Sequence, residues 1–290
     1  MYDPDWPDIP PTVGTVYVAT GLAHADALGA GPAAAAAGGP VLLTPPAGLP
    51  EAVRSTIDRL NPERIVVVGG KQAVSDTVLG ELAPLSPRVE RLAGTDRYGT
   101  AAAIALDEFR PEDGQSTPIV FVADGIGFAD ALSGGAVAAA MGAPLLLTAP
   151  GALPAATATA LAALRPSKIV VLGGEAAVGR AVADQLAAHT AAPVQRVAGA
   201  DRYDTSAKIA QEFVPSAETI YLATGASFAD ALAAVPVAGL HRAPLLLSRR
   251  ECLPRPVQLE MSRLGPVQDP WIVGGTAALS EQMANGLVCS

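Results

Sequence analysis

One segment of thirteen residues occurs three times along this chain, as VYVATGLAHADAL, VFVADGIGFADAL and IYLATGASFADAL. Its shared aspartate is Asp26, Asp130 and Asp230, so consecutive copies lie about 100 residues apart. That spacing is longer than the repeats of about 20 to 50 residues that stack into solenoids, and it matches the size of a small domain. The 290-residue chain therefore divides into three domain-sized modules, which we place at residues 1–90, 91–195 and 196–290.

Each module shows the alternation of strands and helices that is typical of an α/β fold. A short apolar run before the repeated aspartate predicts a strand, and the Ala- and Gly-rich stretch after it predicts a helix. Continuous apolar runs such as PLLLT and IVVLGG predict strands that are covered on both faces, as in a parallel sheet. The pattern predicts three Rossmann-like modules with right-handed crossovers. Because the modules have equivalent apolar faces, we expect them to pack around an approximate threefold axis.

Prolines and capping residues predict where several helices begin. The Leu-Pro pairs at 49–50, 153–154 and 253–254 suggest proline at the first helical position, where its missing amide has no intrahelical partner. Asp96 and Asp201 precede Ala-rich helices and are predicted N-caps.

The charge of the chain disfavours one class of partner. The formal net charge is −9 at pH 7, whereas nucleic-acid binding depends on cationic side chains that replace counterions, so we expect no nucleic-acid partner. Basic residues cluster only in the third module, and we interpret this cluster either as a solvated face or as a local anion site. It consists of Arg242, Arg249, Arg250, Arg255 and Arg263. We also expect no membrane span, because no stretch of about 18 apolar residues is free of Gly, Pro and charge.

The motifs of several common enzyme chemistries are missing from the sequence. The phosphate-binding patterns GxGxxG and GxxxxGK[ST] and the nucleophile pattern GxSxG do not occur. His24, His189 and His241 lie at unrelated positions in their modules and lack the spacing of metal ligands. We therefore expect a protein that is not an enzyme and that has no catalytic residue, no metal and no cofactor.

A second motif precedes the second and third modules, as RLAGTDRY at residues 91–98 and RVAGADRY at residues 196–203. Followed by the FADAL-type segment, the APLLLT-type strand, the Leu-Pro pair and the GG-terminated strand, it resembles the cell wall binding repeat 2 (CWB2) family of secreted bacterial surface proteins. The resemblance covers the chain from about Val13 to its end. It implies three Rossmann-like modules arranged as a pseudo-trimer. It also implies location at the cell wall or cell surface, with non-covalent binding of an anionic polysaccharide or of peptidoglycan in a Gram-positive-type wall.

The chain departs from this family pattern at two places. The RxAGxDRY motif expected ahead of Val16 is missing, so we expect the first module to lack one helix and any site built from that motif. His24 stands where the other modules have Phe128 and Phe228. The N-terminal residues lack the features of a signal peptide, and their Pro- and Asp-rich composition is consistent with a trimmed export product.

Three sets of residues are candidates for ligand binding. The repeated Asp26, Asp130 and Asp230 follow the carboxyl ends of strands, where ligands of open α/β sheets bind. The alternative for these aspartates is a structural role, as helix caps or as ion-pair partners of the motif arginines. The other two sets are the Arg-Tyr pairs of the motifs and two arginines of the third module: Arg97, Tyr98, Arg202, Tyr203, Arg249 and Arg250. For the motif arginines we expect charge-assisted hydrogen bonds inside the protein.

Two cysteines are present, Cys252 and Cys289, both in the third module. An even count in an exported protein favours pairing, so we predict a disulfide between them. The sequence leaves the oligomeric state open, a monomer included, because three linked modules can satisfy one another's surfaces. The alternative function, supported only by analogy of fold, is a Rossmann-like enzyme or binding protein for a small phosphorylated or nucleotide ligand.

Overall fold

The computed structural model describes residues 13–265 and 270–289, which form three α/β modules, each built on its own parallel sheet. The elements of module 1 are β1 (Thr15–Thr20), α1 (Ala30–Ala36), β2 (Val41–Thr44), α2 (Glu51–Leu60), β3 (Arg64–Val68), α3 (Asp76–Leu82), the 3-10 turn η1 (Ala83–Leu85) and β4 (Val89–Leu92). Its strands lie in the order β2-β1-β3-β4, all parallel. β1 is buried along its whole length, as expected for a parallel strand with both faces covered.

Module 2 repeats this arrangement with one additional helix at its start. Its elements are α4 (Arg97–Phe109), β5 (Val120–Asp124), α5 (Ala129–Ala140), β6 (Leu145–Thr148), α6 (Ala155–Leu164), β7 (Ile169–Leu172), α7 (Arg180–Ala187) and β8 (Gln195–Val197). The sheet has the order β6-β5-β7-β8. Leu145 lies opposite Phe121 across the β5–β6 pair, and the equivalent strands of the other modules have the same register.

Module 3 also begins with a helix, but its sheet is smaller. Its elements are α8 (Arg202–Phe213), β9 (Tyr221–Thr224), α9 (Ala229–Leu240), β10 (Leu245–Ser248), α10 (Arg255–Leu264), β11 (Trp271–Val273) and α11 (Glu281–Ala284). Among the described residues this sheet has three strands, in the order β10-β9-β11.

The modules meet through their Ala- and Gly-rich helices. α1, α5 and α9 each pack against the other two, and glycines let the backbones approach closely. A Cβ atom on Gly31 would lie 2.4 Å from Cγ1 of Val235, and one on Gly239 would lie 2.3 Å from Cβ of Ala139. Equivalent helices therefore contact one another in a closed ring of three, which confirms the predicted pseudo-threefold arrangement.

An aromatic cluster marks this pseudo-threefold arrangement at the loops that precede α1, α5 and α9. The ring centroids are 5.4 Å apart for His24 and Phe128, 5.6 Å for His24 and Phe228, and 6.4 Å for the two phenylalanines. Three equivalent residues that all contact one another must lie near the axis that relates them. His24 thus takes the place of a third phenylalanine.

The helices begin at the predicted capping residues, except that the helices after the Leu-Pro pairs begin one residue later than predicted. Asp96 accepts a hydrogen bond from the amide of Gly99 at 2.8 Å, and Asp201 accepts one each from the amides of Tyr203 and Asp204 at 2.9 Å, so both aspartates are N-caps. The prolines of the Leu-Pro pairs occupy the N-cap position, one residue before the predicted first helical position, with ψ between 139° and 143°. The shift is tolerated because the missing amide of proline is not needed at either position.

The described part of module 1 begins at Val13, and in that part no helix precedes β1. The residues on which a counterpart of α4 and α8 was expected to be missing lie outside the described residues. None of the helices in that same part combines the length and the apolar character that a bilayer crossing requires.

Candidate functional site

The RxAGxDRY motifs fix the loop that follows the first strand of a module. Arg97 donates a hydrogen bond from Nη1 to the carbonyl oxygen of Gly125 at 2.6 Å. The ring of Tyr98 packs on the same glycine, where a Cβ atom would lie 2.7 Å from Cε1 of the tyrosine. Arg202 and Tyr203 hold the equivalent glycine of module 3 in the same way. Both arginines thus make the internal charge-assisted hydrogen bonds expected of them.

The loop between β5 and α5 is tightened further by Asp124, the last residue of β5. Its carboxylate accepts hydrogen bonds from the amides of Ile126 at 2.9 Å and Gly127 at 2.8 Å. In the other two modules the hydroxyl of Thr20 or Thr224 accepts a single amide hydrogen bond at 3.2 Å. The sequences Ala-Thr-Gly in modules 1 and 3 and Ala-Asp-Gly in module 2 therefore form the same kind of turn. In module 2 a carboxylate, and not a hydroxyl group, accepts its amide hydrogen bonds.

The repeated aspartates lie against the GG turn that ends the third strand of their own module. A Cβ atom on the first glycine of that turn would lie 2.8 Å from Oδ2 of Asp26, 2.3 Å from that of Asp130 and 2.4 Å from that of Asp230. These glycines have φ of 90°, 99° and 104°. The close carboxylate and the left-handed backbone therefore both require glycine at this position.

The ion pair considered for the repeated aspartates is not formed in the described residues. Arg97 and Arg202 donate to loop carbonyls instead, and the carboxylate of Asp130 has no hydrogen bond or salt bridge there. Asp130 lies in the first turn of α5 without capping it, where the helix dipole favours a negative charge. Burial raises the pKa of Asp130 to about 6, while Arg202 lowers it and Asp124 raises it further.

A cleft of about 540 Å³ opens beside Asp130 where the modules meet. Its walls are the start of α5, the turn after β7 and the second RxAGxDRY motif. His24 of module 1, Asp130 of module 2 and Arg202 at the start of α8 all line it. The guanidinium carbon of Arg202 lies 5.4 Å from the centroid of the Phe128 ring, and Nε2 of His24 donates to the carbonyl oxygen of Ile126 at 3.0 Å. The cleft is therefore shared by all three modules.

The polar groups of this cleft differ in how many hydrogen bonds they can still form with a ligand. Asp124 and Asp201 also line it, but their carboxylates already accept backbone amide hydrogen bonds. Asp130 retains its acceptor oxygens, and Arg202 retains donors beyond the one that holds the loop. Together with the ring of Phe128, they can bind a ligand with hydroxyl or amide groups and an apolar face. Within residues 13–265 and 270–289, no group of three His, Cys, Asp or Glu side chains could hold a metal ion.

The basic residues of the third module have separate surroundings. Arg249 and Arg250 belong to the loop after β10, where the first lies over the ring of Tyr203 at 5.6 Å and the second pairs with Glu251. Arg263 lies instead in a groove between α8 and α10. Arg255 lines the same groove as Arg263, and Arg242 lines a separate pocket, so the five arginines do not share one site.

Cys252 and Cys289 form a disulfide, with their Cα atoms 5.0 Å apart. The adjacent residues Leu253 and Val288 form an isolated parallel bridge. These contacts join the loop before α10 to the segment that follows α11.

Sequence reasoning did not place His24, Asp124, Phe128 and Asp201 among the binding candidates, although all four line the cleft. The signal for Asp124 was present, since it stands where the other modules have threonine. Phe128 was recognised only as the residue that His24 replaces. Asp26 and Asp230 do not line this cleft, which contains the GG turn of module 2. They lie beside the GG turns of modules 1 and 3.

These features define a class of protein in which three parallel-sheet α/β modules close around a common axis and form a cleft between them. The chain belongs to the family described as Cell wall binding domain 2 (CWB2), whose model matches residues 6–79, 91–183 and 196–284. Each match contains one copy of the FADAL-type segment.

Two proteins of Bacillus subtilis (strain 168) are similar in sequence. N-acetylmuramoyl-L-alanine amidase LytC is 28% identical over 276 residues, which cover 95% of this chain and 53% of that protein. Amidase enhancer is 27% identical over 263 residues, which cover 90% of this chain and 35% of that protein. The chain thus spans about half the length of the first relative and about a third of the second.

Two solved structures from Clostridium difficile have the same fold. Cwp6 matches with a TM-score of 0.84 and 22% identity over 94% of this chain and 43% of that one. Cwp8 matches with a TM-score of 0.83 and 29% identity over 92% of this chain and 46% of that one.

Proposed function

We propose that this protein binds a polysaccharide of the bacterial cell wall without cleaving it, and that the cleft between the modules is the principal contact. Membership of the CWB2 family supports the class of ligand. The observation that carries the proposed site is that one cleft draws His24, Asp130 and Arg202 from three modules. A site of this kind exists only when the three modules are assembled, so wall attachment depends on all of them.

The chemistry of the cleft favours a sugar ring over a phosphate. The carboxylate of Asp130 can accept hydrogen bonds from hydroxyl groups, Arg202 can donate them, and the ring of Phe128 offers an apolar surface. Because the protein carries a net charge of −9, an anionic polymer is repelled at long range and must be held by local cations. Arg249 and Arg250 are the cations proposed to meet its charged groups.

The surroundings of the carboxylates support the proposal of binding without hydrolysis. Glycoside hydrolysis uses two carboxyl groups, one that protonates the leaving oxygen and one that acts as base or nucleophile. Three carboxylates line the cleft, and two of them are held by backbone amides, Asp124 through both oxygens and Asp201 through Oδ1. Asp130 has no such contact, so we assign Asp124 and Asp201 to the loop structure and Asp130 to ligand binding.

Cosedimentation with purified wall sacculi tests the proposal. We expect the protein to pellet with sacculi and to release no soluble sugar during the incubation. Loss of pelleting after acid extraction of the secondary polymers identifies an anionic secondary polysaccharide as the ligand, whereas unchanged pelleting identifies peptidoglycan. Failure to pellet with either preparation refutes the proposal, and a thermal shift with nucleotides in that case favours the alternative function.

Variants test the site itself. Arg202→Gln removes the charge but keeps a donor for the loop carbonyl, and we expect it to weaken pelleting by at least about tenfold, which corresponds to about 1.4 kcal/mol. The matched control is Arg180→Gln, because Arg180 is an exposed side chain that pairs only with Glu175. Equal pelleting of the two variants would exclude the cleft as the contact.

A further inference from the structure

A pocket of about 340 Å³ lies between module 2 and module 3 and shares no residue with the cleft around Asp130. The start of α5 lines the cleft, and the end of the same helix lines the pocket. Because a helix of 12 residues is about 18 Å long, the two are well separated. We name it the α5–α8 pocket, and the residues that line it include Val137, Met141, Phe213, Pro215, Ser216 and Arg242.

Arg242 has a backbone conformation that is uncommon for arginine. It follows the C-terminus of α9 with a φ of 50°, in the left-handed region where residues other than glycine are rare. The equivalent residues of modules 1 and 2 are Gly38 and Gly142, with φ of 67° and 59°. In all three modules the amide at this position donates to the carbonyl oxygen three residues earlier. The turn thus forms with glycine, and the arginine of module 3 adds backbone strain that the turn does not require.

A second arginine with a left-handed backbone has a structural partner, which Arg242 lacks. Arg165 has a φ of 49°, and its Nη2 donates to the carbonyl oxygen of Glu112 at 3.3 Å. In the part of the chain that the structure describes, the guanidinium of Arg242 has no hydrogen bond and no salt bridge, although the residue is exposed and lines the α5–α8 pocket. Strained residues are concentrated at ligand sites. An anionic ligand would give this guanidinium a partner.

The walls of the α5–α8 pocket are apolar at positions where the junction of modules 1 and 2 is charged. Phe213 and Pro215 stand where the end of α4 and the residue after it have Glu108 and Arg110. Met141, at the end of α5, is 48% exposed. Large apolar side chains that remain accessible beside a cavity favour a ligand with an apolar part.

The backbone around the pocket offers few further hydrogen bonds. The amides of Met141 and Arg242 donate to carbonyl oxygens of the preceding helices, and the carbonyl oxygens of Val214 and Pro215 accept hydrogen bonds from Arg263. Among the described residues that line the pocket, one hydroxyl group accompanies the guanidinium. A bound peptide would leave amide groups without partners, which is unfavourable. An aliphatic chain has no such groups.

We propose that the α5–α8 pocket binds a fatty acid, which is a ligand with an aliphatic chain and one carboxylate. The chain contacts Met141, Phe213 and Pro215, and the carboxylate pairs with the guanidinium of Arg242. Such pairs are frequently bidentate, so the carboxylate is fixed in position as well as attracted. The site is independent of the proposed polysaccharide contact, because the two share no residue.

Isothermal titration calorimetry of the whole protein with octanoate tests the proposal. We expect saturable one-to-one binding, and binding of uncharged octan-1-ol that is weaker by at least about tenfold because the alcohol lacks the carboxylate. N-acetyl-Ala-Ala presents a carboxylate on a peptide, and we expect it to bind at least about tenfold more weakly than octanoate. Absence of octanoate binding, or equal binding of the alcohol, overturns the proposal. Tighter binding of the peptide also overturns it and assigns the pocket to peptide chain ends.

Variants of Arg242 locate the carboxylate. Arg242→Gly introduces the residue that modules 1 and 2 have at this position, so we expect an unchanged or raised melting temperature together with octanoate binding weakened by at least about tenfold. Arg242→Lys keeps the charge and should bind octanoate more tightly than Arg242→Gly. The matched control is Arg165→Gly, which relieves the same kind of backbone strain outside the pocket and should leave binding unchanged. Equal octanoate binding by the two glycine variants would refute the role of Arg242.

Discussion

The half-buried carboxylate of Asp130 makes the stability of this protein depend on pH. Burial raises its pKa from 3.8 to about 6, so the folded state holds this proton more tightly than the unfolded state. The contribution of this carboxyl group to stability therefore falls as the pH rises from below about 4 to above about 6. A shift of about two units at about 1.4 kcal/mol per unit corresponds to a loss of about 3 kcal/mol at neutral pH.

Asp130→Asn removes this titration while keeping the shape of the side chain. We expect the variant to gain about 1 to 3 kcal/mol in free energy of unfolding at pH 7.5, and little at pH 4, where the wild-type carboxyl group is protonated. Urea denaturation at both pH values measures the difference, and other titrating groups cancel because the two proteins share them. The matched control is Asp184→Asn, an exposed carboxylate of α7, for which we expect almost no change. A variant that is less stable at pH 7.5, or that differs from wild type equally at both pH values, would refute the reasoning.

Two further predictions concern the contacts that join and close the modules. Gly31→Ala should lower the stability by about 1 to 3 kcal/mol through overpacking, because the new methyl group would lie 2.4 Å from Cγ1 of Val235. The control Gly80→Ala meets open space in α3 and should be neutral or slightly stabilising; equal effects of the two variants on urea denaturation would contradict the close packing. The Cys252–Cys289 disulfide spans a sequence separation of 37, so its removal by paired Cys→Ser substitution should cost about 2 to 4 kcal/mol, and an unchanged melting temperature would argue against this contribution.

The fold was largely predictable because its sequence signals recur in each module. The threefold recurrence of the FADAL-type segment predicted three modules, and the apolar runs that form β6 and β10 predicted strands with both faces covered. The strands depend on local sequence, and the number of modules follows from the repetition of similar segments, so both can be read from the sequence.

The candidate site was less predictable because it depends on which loops converge. Sequence alone did not show whether the guanidinium of Arg202 faces a ligand or a carbonyl, and the structure directs Nη1 to Gly225 while the residue still lines the cleft. It left ligand binding, helix capping and pairing with the motif arginines open for the repeated aspartates, and the structure places them against glycine turns. Long side chains reach partners far along the chain, and neither spacing nor composition specifies those partners.

The proposed binding role of Asp130 rests on its place in the cleft. A half-buried carboxylate without a hydrogen bond opposes folding, and an uncharged residue of similar size would relieve that penalty. The fit against the glycine of the GG turn is shared by Asp26 and Asp230, but of the three aspartates it is Asp130 that lines the cleft. Its position in the cleft, and not its fit against the turn, therefore distinguishes Asp130 from the other two. A hydroxyl group of a bound sugar would supply the hydrogen bond that this carboxylate lacks, which is why the proposed contact is centred on Asp130.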